Sequence, residues 1–177
     1  YMLRTGVSGG SAMLKIAEDF TRVEGIQIRD LADDASVANI DIEFVGVATR
    51  ASDTRISNTI LLGPGLGSAT AHAGIRYGSD YYTSFYYAWN NLLYGFRGLG
   101  LTDRTYSDGG PLPGSSVFYN NTVVDAVSQD WTGTIGAYYR PVRLKNNILQ
   151  NCAASGTGVE SYQASYPLQG SGYNIDQ

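Results

Sequence analysis

The chain has 177 residues, a formal net charge of −4 and a pI near 4.8. This acidic balance gives no electrostatic footprint for nucleic acid and disfavours an acidic membrane surface as a partner. Hydrophobic residues make up 43% of the chain and glycines number 22, which is typical of a folded, turn-rich protein. We therefore expect a single domain over residues 1–177.

The first 20 residues show no signal-peptide pattern, and no apolar run reaches the roughly 20 residues that a membrane-spanning helix needs. Residues 11–20, SAMLKIAEDF, fit a short helix or an amphipathic segment that caps the domain, so residues 1–20 are a candidate capping segment. The chain ends inside what reads as another repeat. We expect it to be a fragment of a longer chain.

Asparagine recurs in front of short apolar segments. Successive asparagines in this position are 33, 30, 26 and 27 residues apart. Self-similarity at such a period indicates a repeat architecture. Gly25 and Asn39 occupy the matching position in two earlier segments, but they lie only 14 residues apart, which leaves the register of the first third open. The later anchors are Asn58, Asn91, Asn121, Asn147 and Asn174.

The segments around these anchors are short, rich in β-branched and aromatic residues, and bounded by Gly, Asn, Asp and Ser. This pattern is typical of strands. A second short apolar stretch follows each anchor, as in AGIRYG (73–78) and GVESYQ (158–163). Each repeat is therefore predicted to read strand, turn, strand, loop. Repeats with strands and no crossover helix indicate a solenoid, in which each coil stacks on its neighbours.

The asparagines have a structural interpretation. A sharp bend between strands often needs one residue with positive φ, which Asn tolerates better than most other residues. Asparagines on successive coils would lie about 4.8 Å apart and could hydrogen-bond along the stack. We assign both roles, bend and ladder, to Asn58, Asn91, Asn121 and Asn147. The single cysteine, Cys152, is expected to be a small buried residue.

The segments WNNLLYGFRGLGL, VFYNNTVVDAV and RLKNNILQNC resemble the repeats of right-handed parallel β-helix proteins of the pectate-lyase-like superfold. The resemblance implies an all-β, right-handed parallel β-helix solenoid of roughly six coils with Asn at the turns. That family holds polysaccharide lyases, glycosidases, phage tailspikes and adhesins, so the resemblance implies an architecture and no single activity. Leucine-rich repeats are the alternative fold, although their Asn follows the strand.

Two kinds of enzyme site are conceivable. A polysaccharide lyase would need clustered carboxylates for Ca²⁺ and a nearby base. Arg76 and Arg97 with Asp80, Asp103 and Asp125 offer no compact ligand run, so we read them as surface residues. We expect no metal and no cofactor, with Ca²⁺ entering only if the protein is a lyase.

A glycosidase would need two facing carboxylates. Asp33 and Asp34, then His72, then Arg143 and Lys145 faintly resemble, in order, the elements of polygalacturonases. The gaps between them do not fit that family. We read the aspartate pair as part of a turn and His72 as a loop residue.

The aromatic residues are the most unusual feature. The segment SDYYTSFYYAWNN (79–91) holds six aromatics within nine residues, and neighbours in a strand face opposite sides, so some rings must be exposed. Exposed Tyr and Trp suit glycan stacking or a protein interface, and they equally suit stacking up the coils. The candidate binding residues are Tyr81, Tyr82, Tyr86, Tyr87, Trp89 and Trp131.

We therefore predict an extracellular, cell-surface or virion β-helix module that acts as a rigid scaffold and binds a glycan or a protein partner. A carbohydrate-active enzyme, either a polysaccharide lyase or a glycoside hydrolase, is the first alternative, and a purely structural fibre subunit is the second. No catalytic residue is assigned. Another copy of the chain, or further coils of the same chain, could be additional partners.

Overall fold

The computed structural model describes residues 2–4, 14–16, 20–30, 37–42, 53–65, 72–77, 84–96, 101–103, 114–126, 135–137, 142–152, 159–161 and 175–176. Every regular element within these residues is a β-strand. The strands are β1 (Met2–Arg4), β2 (Leu14–Ile16), β3 (Arg22–Glu24), β4 (Gln27–Asp30), β5 (Val37–Ile42), β6 (Thr54–Ser57), β7 (Ile60–Leu62), β8 (His72–Tyr77), β9 (Ser84–Trp89), β10 (Leu92–Phe96), β11 (Leu101–Asp103), β12 (Gly114–Tyr119), β13 (Thr122–Ala126), β14 (Ile135–Ala137), β15 (Val142–Lys145), β16 (Ile148–Gln150), β17 (Val159–Ser161) and β18 (Ile175–Asp176).

The strands form three parallel sheets. Sheet A has the order β1-β4-β7-β10-β13-β16-β18, sheet B the order β17-β14-β11-β8-β5-β2, and sheet C the order β15-β12-β9-β6-β3. The strand number changes mostly by three between neighbours, so the chain visits sheets C, A and B in turn. This all-β parallel topology is compatible with the predicted β-helix-like fold. The predicted repeat, with two strands, omitted one of the three strands that each complete repeat contributes to the sheets.

Two expectations for the first third are wrong. Leu14–Ile16, within the segment considered as a short helix, is β2 and pairs with β5 in sheet B. Asn39 was placed at a turn, but it lies inside β5, where its neighbours Ala38 and Ile40 pair with β8. Gly25 keeps its predicted position at the turn between β3 and β4. Gly25 and Asn58 therefore occupy the same position in two successive repeats, with no turn of this type at Asn39 between them.

The core consists of inward-facing columns of apolar side chains. Burying a Leu, Ile or Phe side chain contributes roughly 1.5–3 kcal/mol each, and the strand register stacks like residues on one another. On sheet A the column is Ile28, Leu61, Leu93, Val123 and Leu149, all at most 1% exposed. On sheet C one such column is Ile56, Ala88, Phe118 and Leu144, all fully buried.

The turn from sheet C to sheet A has the same backbone conformation in five successive repeats. Its first residue takes a positive φ, a region open to Gly and tolerated by Asn because the short side chain can hydrogen-bond locally. In the first four of these repeats the backbone N–H of this residue bonds to the next repeat, for example from Asn90 to the Tyr119 carbonyl oxygen at 3.3 Å. The residues and their φ values are Gly25 (72°), Asn58 (54°), Asn90 (54°), Asn120 (55°) and Asn146 (55°).

The second residue of each pair points inward and forms a buried asparagine ladder made of Thr59, Asn91, Asn121 and Asn147. Asn91 Nδ2 donates to Asn121 Oδ1 at 3.0 Å, and Asn121 Nδ2 donates to Asn147 Oδ1 at 3.0 Å. Backbone N–H groups join the ladder, because Asn91 N and Asn121 N also donate to the next Oδ1. At the other end, Thr59 donates to Asn91 Oδ1 through its N–H and its Oγ1.

Each ladder amide also forms a hydrogen bond back to the preceding repeat. Its Nδ2 donates to a main-chain carbonyl on the sheet C strand of the preceding repeat. Asn91 donates to Ile56 at 3.1 Å, Asn121 to Ala88 at 3.0 Å and Asn147 to Phe118 at 2.9 Å. A buried amide whose donors and acceptors are satisfied avoids a desolvation cost of roughly 1–3 kcal/mol per group. The ladder thus provides hydrogen-bond partners for polar groups that are buried at the turn.

The ladder role predicted for Asn91, Asn121 and Asn147 is confirmed, but the positive φ predicted for these three belongs to the residue before each of them. One residue was expected to supply both the positive φ and the ladder; the first of each pair supplies the φ and the second supplies the ladder. Asn58 accordingly aligns with Asn90, whose Nδ2 donates to Asn58 Oδ1 at 3.4 Å, and not with Asn91. Asn174 lies outside the described residues.

A similar bend with positive φ lies at the C-terminal end of the sheet A strands β10, β13 and β16. Gly95, Asp125 and Asn151 have φ values of 76°, 50° and 53°, and Asn151 Nδ2 donates to Asp125 Oδ1 at 3.1 Å. Cys152, the next residue, is 6% exposed, as predicted for a small buried residue. Its Sγ lies 3.5 Å from the Val123 carbonyl oxygen.

Candidate functional site

The outward face of sheet C carries a row of aromatic side chains on β9. Because neighbouring residues in a strand alternate in direction, Tyr86 and Ala88 enter the core and Phe85, Tyr87 and Trp89 face out. Phe85 is 40% exposed, and the other two outward rings are half-buried. At about 3.3 Å per residue, the three rings cover roughly 13 Å of strand.

The strands on either side extend this row. Register places Tyr119 of β12 beside Trp89, and their rings stack with centroids 5.7 Å apart and an interplanar angle of 1°. Arg55 of β6 lies beside Tyr87, with its Cζ 5.2 Å from the ring centroid. Such cation–π contacts and ring pairs hold side chains in one orientation. We call Arg55, Phe85, Tyr87, Trp89 and Tyr119 the sheet C strip.

Arg55 is itself fixed by a carboxylate. Its Nε and one terminal nitrogen donate to the two oxygens of Asp53 at 3.0 and 3.1 Å. This hydrogen-bonded pairing with Asp53 raises the pKa of the Arg55 guanidinium above its usual value. Asp53, directly before β6, also has a positive φ of 51°. The fork–fork geometry orients the guanidinium above Tyr87.

The edge of sheet C formed by β15 carries two positive charges. Arg143 and Lys145 of β15 are exposed, and they lie in register beside Val117 and Tyr119 of β12. Within the part of the chain that the structure describes, neither forms an ion pair. At the opposite edge, Arg22 pairs with Glu24 at 3.1 Å. Uncompensated positive charge on this face is therefore concentrated next to the Trp89–Tyr119 stack, although the whole chain is acidic.

The predicted binding residues divide into three groups. Tyr87 and Trp89 belong to the strip. Tyr86 is fully buried, so its ring is part of the core and has no surface to offer a ligand. Tyr81, Tyr82 and Trp131 lie outside the described residues.

Sequence reasoning missed Phe85 and Tyr119, although a signal for Tyr119 was present. Trp89, Tyr119 and Lys145 each directly precede an asparagine pair. Residues at the same place in successive repeats become neighbours on parallel strands. Aligning the repeats on the first asparagine of each pair therefore places these three side chains in one column.

The residues considered for enzyme chemistry do not come together in the described structure. His72 begins β8 in sheet B, whereas Arg143 and Lys145 belong to β15 in sheet C. Arg76 is half-buried in β8. Asp33, Asp34, Asp80 and Arg97 lie outside the described residues. Among the residues whose placement is defined, no group of three or more His, Cys, Asp or Glu side chains is arranged to hold a metal ion.

Comparison with known proteins gives no relative: no family model matches the chain, and neither the curated proteins nor the solved structures contain a match. In the described residues, no helix is long and apolar enough to span a membrane. The geometry of the sheet C strip is therefore the basis for a functional proposal.

Proposed function

We propose that the chain is a right-handed parallel β-helix of roughly six coils that serves as a rigid scaffold and binds a glycan through the sheet C strip. In this proposal it is a module of an extracellular, cell-surface or virion protein. One observation carries the proposal: outward aromatic rings on β9 and β12 lie beside two exposed cations on β15. The sequential visits to three parallel sheets and the asparagine ladder support the scaffold.

The rings suit a sugar ligand because they are already held in place. Trp89 and Tyr119 are stacked on each other, and Tyr87 lies under Arg55, so little side-chain freedom remains to be lost on binding. Tyr and Trp offer apolar area together with a polar atom, which matches a sugar's apolar face and hydroxyl rim. The exposed ring of Phe85 extends the apolar area along the strand.

The cations favour an acidic glycan over a neutral one. Arg143 and Lys145 are exposed beside the strip, and a planar guanidinium recognises carboxylate or sulfate by paired hydrogen bonds. The strands are about 4.8 Å apart, so one sugar unit against Tyr119 would bring its acidic group within reach of Lys145. Binding of this kind weakens as salt rises, because exposed charges are screened.

A glycan array that includes uronate polymers, followed by calorimetry on the best ligand, tests the proposal. Trp89→Ala should weaken binding by roughly tenfold or more, as expected for a central aromatic anchor. Arg143→Ala and Lys145→Ala should each reduce binding of acidic glycans more than of neutral ones. Tyr94→Ala, an exposed aromatic on sheet A, is the matched control and should bind normally.

The outcomes separate the alternatives. Equal binding by the parent and the Trp89→Ala protein would reject the strip as the site. Release of unsaturated or reducing ends from the polymer would establish an enzyme in place of a binding module. Absence of binding to every glycan on the array would leave the Trp89–Tyr119 stack as a support for a structural fibre.

A further inference from the structure

The outward face of sheet A is apolar and exposed, in contrast to the aromatic and charged face of sheet C. Of the six large hydrophobic side chains that are exposed among the described residues, four lie on this face. They are Ile60, Leu92, Tyr94 and Ile148, at 36, 37, 47 and 43% exposure. Contiguous exposed apolar surface on a soluble domain marks an interaction site.

Register arranges these side chains in two rows that run across the strands. Ile60, Leu92 and Ile148 share one row with Thr122. Leu62 and Val124, both half-buried, share the second row with Tyr94. We call the six apolar residues Ile60, Leu62, Leu92, Tyr94, Val124 and Ile148 the sheet A face.

Opposite charges lie on β4 and β13, the two strands that flank β7 and β10. Arg29 of β4 is exposed and lies in register with Leu62, in the row of Tyr94. Asp125 directly follows Val124 on β13 and is half-buried, with its carboxylate held by Asn151. From β4 to β13 the sheet A face therefore runs from a cation, through apolar rows on β7 and β10, to an anion.

We infer that the sheet A face binds the same face of a second copy of this chain in a two-fold symmetric dimer. A two-fold axis parallel to the strands, midway between β7 and β10, places β7 opposite β10 of the partner and β4 opposite β13. Leu92 then meets Ile60 of the other copy, and Tyr94 meets Leu62. An isologous interface needs such a self-complementary surface.

The charges agree with this symmetry. The same axis brings Arg29 of each copy opposite Val124 and Asp125 of the other, so two ion pairs form at the rims while the apolar rows meet in the centre. Two sheets packed face to face with their strands aligned is a common arrangement. A tilt of one copy by the usual roughly 30° still leaves Arg29 within a residue or two of Asp125.

Sedimentation velocity over a concentration series tests the inference. The parent protein should form dimers with a dissociation constant on the order of ten micromolar, in the range of small transient interfaces. Leu92→Glu should abolish the dimer, because it places two charges in the apolar centre. Arg29→Glu should weaken it at least fivefold at low salt, and about 1 M salt should reduce that difference, since the rim charges are screened.

Trp89→Ala, on sheet C, is the control and should dimerise like the parent. Circular dichroism of each variant establishes that the fold is kept, and if Leu92→Glu fails to fold, Arg29→Glu carries the test. A parent protein that stays monomeric to several hundred micromolar would overturn the inference. So would a dimer that is insensitive to both variants. Glycan binding is measured on the other face, so its outcome is independent of this one.

Discussion

Asn91 and Asn121, 30 positions apart in the chain, are joined by a hydrogen bond of 3.0 Å between Nδ2 of the first and Oδ1 of the second, and both side chains are buried. The same acceptor receives the backbone N–H of Asn91 at 3.2 Å. The Asn121 side chain thus accepts a backbone N–H of the preceding repeat, in the place of a main-chain carbonyl. The bond links repeats at the turn, where a regular strand ladder is interrupted.

Replacing Asn121 by Ala should lower the free energy of unfolding by about 3 kcal/mol. The change removes the acceptor of the Asn91 N–H and side-chain amide, and it also removes the donor to the Ala88 carbonyl oxygen. Unsatisfied buried groups cost roughly 1–3 kcal/mol each, and water can relieve part of this cost. Urea denaturation followed by circular dichroism measures the difference.

Asn120→Gly is the matched control for that variant, one residue earlier in the same turn. Asn120 is exposed at a φ of 55°, a conformation that Gly adopts without strain. The expected change is within about 0.5 kcal/mol. Equal losses for Asn120→Gly and Asn121→Ala would show that the division of roles between the two asparagines is wrong.

A β-branched residue at the outer position should be costly. Asn90→Val puts a branched side chain at a φ of 54°, where an L-residue pays roughly 1–2 kcal/mol. Gly25→Asn should be neutral within about 0.5 kcal/mol, because Asn58 has the same conformation one repeat later and a Cβ at Gly25 meets nothing within 4 Å. Thermal denaturation of both variants checks this contrast.

Gly63 is required for a steric reason. A Cβ built there would clash with the Gly95 carbonyl oxygen and would lie 2.7 Å from Cδ1 of Phe96, which is fully buried. Gly63→Ala should therefore destabilise the protein by about 2–4 kcal/mol through overpacking and a displaced backbone. The urea midpoint of this variant should fall well below that of Gly25→Ala, which has strain at φ but no clash. Similar midpoints for the two would contradict the close approach of the turns.

Tyr94 should titrate above free tyrosine. The hydrogen bond and charge of Asp125 raise the pKa of the Tyr94 hydroxyl above its usual value of 10.0. Because the folded pKa is the higher one, the stabilisation is fully present below the unfolded pKa and is lost as pH rises through the folded pKa. Asp125→Asn, which removes the charge and keeps a residue that tolerates positive φ, should move this pKa down.

An alkaline absorbance titration measures that shift, with Tyr94→Phe subtracted to isolate one of the 14 tyrosines. The variant Asp125→Asn should show an earlier ionisation of Tyr94 than the parent. An unchanged difference curve would mean that Asp125 does not hold the hydroxyl.

The sequence alone determined the spacing of the repeats, the all-β class and the turns that contain Asn58, Asn91, Asn121 and Asn147. These features are local: a short β-branched segment and a residue that tolerates positive φ act within a few positions of each other. Repetition then distinguishes a structural asparagine from a catalytic one, since a turn is needed in every repeat.

The tertiary structure decided what depends on neighbours between repeats. Which asparagine of a pair points inward follows from the alternation of side chains along the sheet C strand that precedes it. Because the loops differ in length, counting residues between repeats does not reveal this register. Tyr86 and Tyr87 are adjacent in sequence and equal in chemistry, yet one is fully buried and the other lies beneath Arg55 on the surface. They differ because successive side chains of a strand point alternately into the core and out to the surface. The stack of Trp89 on Tyr119 arises because parallel pairing brings together residues that are 30 positions apart.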